Sequence, residues 1–120
     1  MATFRFMNLD IWKEAIALND TFFELADILS ESRSYRVAEQ LRAASLSISN
    51  NIAEGSGSYS DKDFANFLNY ARRSAFECAN IMCVLFNRKI ISKEQLDENL
   101  NKLDILSRKI SNFRKTLLKT

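Results

Sequence analysis

Proline and histidine are both absent from this chain, and glycine occurs only twice, at Gly55 and Gly57. A β-sandwich or barrel draws on glycine and proline at every tight turn, so a chain this poor in both has few turns and long elements. That points to an all-α protein. The missing histidine removes the commonest general base and metal ligand at neutral pH. Ser-His-Asp and Cys-His catalysis are thereby excluded, as are zinc sites built on imidazole. Two cysteines are present, Cys78 and Cys83. On one helix, five positions apart, they point about 140° away from each other and cannot bridge. They are expected to be small buried hydrophobes in a reducing compartment. No apolar run approaches the ~20 residues of a membrane span, and Met1 to Leu9 lacks signal-peptide architecture. The expectation is a cytoplasmic protein without membrane, cofactor or metal.

What is present is an ordinary globular composition over 120 residues, with 47% hydrophobic and 27% charged positions, which argues against disorder. The length suits one domain, 1–120. Residues 1–9 carry Phe4, Phe6 and Leu9 among polar neighbours and suggest a short extended arm. Asp10 is a candidate cap for a first helix over about 10–30, whose Ile11, Ala15, Leu18, Phe22, Leu25 and Leu29 recur at steps of three and four. A second helix, about 35–54 with Ser34 as cap, has the stripe Ala38, Leu41, Ser45, Ile48 and Ile52. Gly55 stands where a left-handed residue would close it. Ser60 caps a third helix, about 60–89, with Asp61 and Asp63 in its positive first turn. Ser92 and Gln95 form a capping box for a fourth, about 92–118. Short loops make successive helices antiparallel. The fold expected is an antiparallel up-down-up-down four-helix bundle.

Charge and patterning on the outer faces say more than the net charge of +2. Residues 1–31 hold Arg5 and Lys13 against six carboxylates, a balance of −4. Residues 100–120 hold Lys102, Arg108, Lys109, Arg114, Lys115 and Lys119 against Asp104 alone, a balance of +5. Between Ala43 and Ala53 there is no charge. The outer side of that helix would show Ala43, Ala44, Ser47, Asn50 and Asn51, where a surface helix normally carries charges. The third helix adds Tyr70, Phe76 and Val84 opposite its stripe. Two such faces exceed what a lone four-helix bundle covers, so self-association is expected.

The run Leu41 to Gly55, LRAASLSISNNIAEG, is followed by a Gly/Ser loop and then by DFANFLNYARRSAFE from Asp63 to Glu77. Both runs resemble the bacterial four-helix bundle proteins called 23S ribosomal RNA intervening-sequence proteins. Arg42, Ala43, Ala44, Ser47, Ile48, Asn51, Ile52, Ala53, Glu54 and Gly55 carry the first motif. Phe64, Phe67, Leu68, Ala71, Arg72, Ser74 and Glu77 carry the second. Leu9, Trp12 and Ala15 fit the family's opening. This chain departs from the pattern at Ser49, Ser58 and Arg73, where proline, arginine and glycine are usual. The resemblance implies a homopentameric bundle related to the accessory protein of diversity-generating retroelements, which associates with nucleic acid and a reverse transcriptase.

Candidate chemistry is sparse. Glu54, at the negative end of the second helix, calls for a partner, and Arg72 is the candidate, giving a buried pair that fixes the loop. Glu77 adds a carboxylate, but the Glu-x-x-His partners of di-iron bundles are missing. Asn50 and Asn51 suit capping or an interface, and Tyr70, Arg73 and Phe76 suit an interface. The Gly55–Ser58 loop lacks the lysine and spacing of a P-loop. The basic residues of the fourth helix are the best nucleic-acid feature. With no stacking aromatics among them, RNA or DNA would be held through phosphate and shape. The leading expectation is a non-enzymatic nucleic-acid-associated oligomer. An adaptor for a protein partner comes second. A ligand-binding or enzymatic site at Glu54, Arg72 and Glu77 comes last, without an activated nucleophile.

Overall fold

A computed structural model describes residues 1–119 and is all-α there. Four helices follow one another: α1 (Asp10–Glu31), α2 (Tyr35–Ser56), α3 (Asp61–Asn87) and α4 (Lys93–Leu117). Each buries one apolar stripe, and Phe22, Leu41, Ile48, Ile52, Phe64, Leu68, Met82 and Ile110 are almost fully covered. Burying one such side chain is worth about 1.5–3 kcal/mol, which makes this core the main source of stability. The packing partners are α1 with α2, α2 with α3, and α3 with α4, while α1 meets α4 only sparsely. Asp27 reaches Arg42, Ser47 reaches Ser74, and Ala65 reaches Arg114, fixing which turn of each helix faces which turn of the next.

Expectation and structure part at the ends of the elements. The N-terminal segment is not extended throughout, although Phe4 and Leu9 have extended backbone. Arg5–Asn8 form a single 3-10 turn, held by Phe6 packing edge-on against Trp12 and by the Arg5 guanidinium lying 5.0 Å from the Phe64 ring centre. Asp10 is the first helical residue and Leu9 the cap, so Asp10 acts through the helix dipole and not by a cap hydrogen bond. Ser34 does cap α2, but its hydroxyl makes no cap bond. The other two expected caps form: the Ser60 hydroxyl accepts from the Asp63 amide at 3.1 Å, and Ser92 and Gln95 bond reciprocally at 3.1 and 2.8 Å.

The glycines are used differently from expectation. Gly55 lies inside α2, buried, with ordinary helical backbone, and neither glycine has a positive φ. The left-handed residues are Arg33 (φ 66°) and Lys89 (φ 63°), just past the ends of α1 and α3. There the Ser34 amide donates to the Leu29 carbonyl at 2.8 Å and the Ile90 amide to Leu85 at 2.9 Å, closing the helices in the usual C-terminal way. Gly55 is needed for closeness. A Cβ there would sit 2.6 Å from the Phe67 Cβ and 2.8 Å from the Phe64 ring, so α2 and α3 meet at this point with no room for a side chain.

Candidate nucleic-acid interface

The residues singled out in the sequence separate onto three surfaces. The first is the α2–α3 face. Ser47, Asn51, Tyr70, Arg73, Ser74 and Glu77 line one shallow groove there. The Ser74 hydroxyl donates to the Ser47 hydroxyl at 2.8 Å. The Asn51 amide donates to the Ser47 carbonyl at 2.8 Å, so Asn51 serves its own helix. Ala43, Asn50 and Glu54 are exposed beside this groove. Ala44 is not: at 3% exposure it belongs to the core, because its position falls on the inner stripe with Leu41, Ser45 and Ile48.

The expected Glu54–Arg72 pair does not form. Glu54 is exposed in the last turn of α2, and among the described residues no ion pair holds it. Arg72 lies on the opposite edge of α3, the edge that faces α4, where its guanidinium stacks 4.6 Å from the centre of the Phe76 ring. Glu54 ends α2, whereas Arg72 lies on the side of α3 turned to α4, so the two do not meet. The cysteines also separate: Cys78 is buried, whereas Cys83 is exposed, contrary to expectation. Burial pushes the Cys78 thiol up to about 12, with the Glu77 carboxylate adding to the shift.

The second surface is the seam between α1 and α4. Lys109 is bound to Glu14 across it, and that carboxylate raises the lysine pKa. Lys102 pairs with Glu98 at 3.3 Å within α4 and, with Ile105, lines a 270 Å³ cleft against Glu14, Ala17, Leu18 and Thr21. These two lysines therefore face α1, and Lys109 serves the seam.

The third surface is the groove between α3 and α4, about 520 Å³. Arg72 and Phe76 stand on its α3 wall. Arg108 and Lys115 stand on its α4 wall, with Ser107, Ser111 and Asn112 beside them. Ala75 and Leu103 are buried beneath. The one carboxylate in the lining, Asp104, is bound by Arg108 at 3.1 Å. Arg114 is absent from it, since its Nε donates to the Ala65 carbonyl at 3.2 Å. Lys119 lies beyond the end of α4, exposed. The six basic residues of the tail helix thus form no single patch. Two of them meet an arginine and an aromatic from α3, a grouping that no pattern within one helix displays. The signal available in the sequence was Arg72 and Phe76 at spacing i, i+4, both off the apolar stripe.

Residues 7–112 match the family described as 23S rRNA-intervening sequence protein. The chain belongs to that family. Its fold is similar to the crystal structure of a protein of unknown function from the S23 ribosomal protein family of Bacteroides thetaiotaomicron, with a TM-score of 0.76 and 23% identity. The similarity covers 92% of this chain and 99% of that one. No curated protein matches the sequence. Among the described residues, no helix is long and apolar enough to cross a membrane, and no group of three or more acidic or thiol side chains is placed to hold a metal ion.

Proposed function

We propose that this intervening-sequence family member is a non-enzymatic protein that associates with RNA or other nucleic acid through basic surfaces of a homo-oligomeric ring. The observation that carries this reading is the α3–α4 groove, where Arg72, Arg108 and Lys115 converge with no unpaired carboxylate among the lining residues. Neutralising phosphates with such side chains releases counterions and gives sequence-independent affinity. One groove is a weak site. Repeated around a ring it becomes multivalent, and avidity exceeds the affinity of any single copy. In the same reading the helices run antiparallel, up-down-up-down, and five copies close the ring, as family resemblance implies. Exposed Tyr70 and Leu46 beside the uncharged face of α2 support its self-association. The reading is cytoplasmic, in keeping with two free thiols.

The test is fluorescence anisotropy of labelled structured RNA against nucleic-acid-free protein over ~50–200 mM salt, the range in which phosphate contacts lose affinity. Binding should weaken steeply with salt, and the double variant Arg108→Glu, Lys115→Glu should weaken it further at every salt concentration. No binding at the lowest salt would discard the reading. It would leave the second one, an oligomeric scaffold for a protein partner such as a reverse transcriptase. That alternative is favoured by the exposed apolar side chains Phe76, Val84, Phe86 and Ile90 along and just past α3.

A further inference from the structure

We infer that the α3–α4 groove selects single-stranded over duplex nucleic acid, by stacking an unpaired base on Phe76 while Arg72, Arg108 and Lys115 hold the adjoining phosphates. The inference rests on the nucleic-acid reading above and adds the class of ligand. Phe76 is a large aromatic in the middle of a helix with 54% of its surface exposed. It rises beside an apolar floor instead of folding into it. The Arg72 guanidinium carbon lies over the ring, 4.6 Å from its centre, and sets a cation directly beside the aromatic surface. Base–aromatic stacking tolerates any base, because every base has a π-face, and guanidinium planes extend the same platform. The opposite wall supplies what the rest of a nucleotide needs. Arg108 and Lys115, seven residues apart and so about 10 Å along α4, offer two separate cationic points. Ser107, Ser111 and Asn112 line the groove between or beside them with polar groups for a base edge.

A duplex cannot use this arrangement. Its bases are stacked inward and its convex backbone leads, so phosphates would touch the rim while Phe76 stayed bare. An A-form helix shows proteins mainly phosphates and 2′-hydroxyls. An unpaired or looped-out base reaches the ring without the cost of breaking a stack. The volume of about 520 Å³ falls within the ~300–1,000 Å³ of sites that enclose small organic ligands, enough for a base and its sugar.

The experiment compares a short labelled single-stranded RNA with its duplex by anisotropy at ~50 mM salt, where phosphate contacts are strongest. A 2-aminopurine version of the single strand reports stacking through its emission. The protein variants are Phe76→Leu, which keeps apolar bulk, and Phe76→Trp, which keeps a ring; circular dichroism checks their folding. The single strand should bind more tightly than the duplex, with 2-aminopurine emission quenched. Phe76→Leu should weaken single-strand binding about tenfold, the effect of losing one stacked base, and abolish the quench, whereas Phe76→Trp should restore both. Equal affinity for duplex, or salt-dependent binding that Phe76→Leu leaves unchanged, overturns the inference while the nucleic-acid function stands. No binding to either RNA removes both. If Phe76→Leu instead dissociates the oligomer in light scattering and leaves RNA affinity per protomer unchanged, the groove is a contact with a second copy, and the inference is wrong.

Discussion

Replacing Gly55 by alanine adds one methyl group to a helix interior and should nonetheless destabilise the protein. Considered alone, α2 gains from the change, since alanine is better than glycine in a helix interior by about 1 kcal/mol. Against that stands the geometry of the α2–α3 contact. The new carbon would lie 2.6 Å from the Phe67 Cβ and 2.8 Å from the Phe64 Cδ1, while carbon atoms at rest sit about 3.5–4.0 Å apart. Phe64 has some freedom in its ring. The Phe67 Cβ has none, because it is bonded directly to the α3 backbone, so no rotamer relieves the clash. The helices must part by about 1 Å, and interdigitated contacts around Ile52 and Phe64 are lost with them. Overpacking costs about 1–3 kcal/mol, and a clash with an atom fixed to the backbone belongs at the upper end. The net effect is a loss of about 2 kcal/mol. With a urea slope of about 1–3 kcal/mol per molar, the midpoint should fall by roughly 1 M. Gly57→Ala is the control: φ is −87° there, and its nearest neighbour would be the Glu54 carbonyl oxygen at 3.4 Å. Both variants should be unfolded at one protomer concentration, since association would shift apparent stability. A Gly55→Ala protein as stable as wild type would refute the close-approach argument and return Gly55 to the role of a replaceable helix residue.

Asn19 is buried on α1, where its amide donates to the Ser49 hydroxyl at 2.9 Å and its carbonyl accepts from Ser45 at 2.6 Å; Asn19→Ala should cost about 1–3 kcal/mol in denaturant melts by leaving the Ser45 hydroxyl without its acceptor, while Ser49 keeps its bond to the Leu46 carbonyl, and adding Ser45→Ala should recover part of the loss. Lys89 holds a left-handed backbone that glycine adopts without penalty, so Lys89→Gly should raise stability by about 0.5–1 kcal/mol, and a lower melting temperature would count against strain there. Exposed Cys83 should react with a thiol reagent in the native state, while Cys78, raised to about 12 by burial, should react only on unfolding. Because a raised thiol pKa means that the folded state keeps its proton longer, the Cys78 contribution is complete below pH ~9 and is lost as pH climbs toward the folded value; Cys78→Ala should flatten that alkaline decline. Exposed Glu54 has no ion-pair partner among the described residues, so Glu54→Gln should shift stability by less than about 0.5 kcal/mol, and a collapse of the fold would contradict its placement.

The four helices were legible because each is governed by information local to it. The three-and-four spacing from Ile11 to Leu29 or from Leu96 to Leu117 states which face is buried, and Ser60 and Ser92 mark two starts through hydrogen bonds to residues three positions away. What failed depended on two helices at once. Gly55 looks like a helix terminator until the Phe67 Cβ is placed against it. Ala44 looks like an outer-face residue, yet it joins the inner stripe at 3% exposure once α2 is packed against its neighbours. Glu54 and Arg72 look complementary in a list of charges, but Glu54 ends α2 while Arg72 faces α4 from α3. Lys102 and Arg108 share a helix with Lys115, and only the neighbouring helix decides which of them face one groove. The same dependence hid Phe76, whose value lies in standing beside cations that come from a different helix.

The strengths of the ion pairs bear on which cations a polyanion can recruit. Arg42 spans α1 and α2, bound to Asp27 at 2.8 Å and to Glu39 at 2.6 Å, with the Asp27 hydrogen bond raising its pKa. Arg114 is held by a backbone carbonyl of α3. Both hold helices together, and moving either would disturb that packing. Arg108 differs. Its contact with Asp104 is a pair four residues apart on a solvated face, with the arginine side chain 77% exposed, and such pairs are worth only about 0.3–0.5 kcal/mol. Exchanging that carboxylate for a phosphate costs almost nothing and leaves Asp104 free to turn into water. Lys115 has no ion-pair partner among the described residues, and Arg72 is committed only to the ring beneath it. The groove therefore holds the cations that are cheapest to redirect, while those that fasten the helices lie elsewhere. Charge reversal at Arg108 and Lys115 should accordingly weaken polyanion binding at every salt concentration with little change in melting temperature. Charge reversal at Arg42 should do the opposite, lowering the melting temperature and leaving affinity per folded protomer intact.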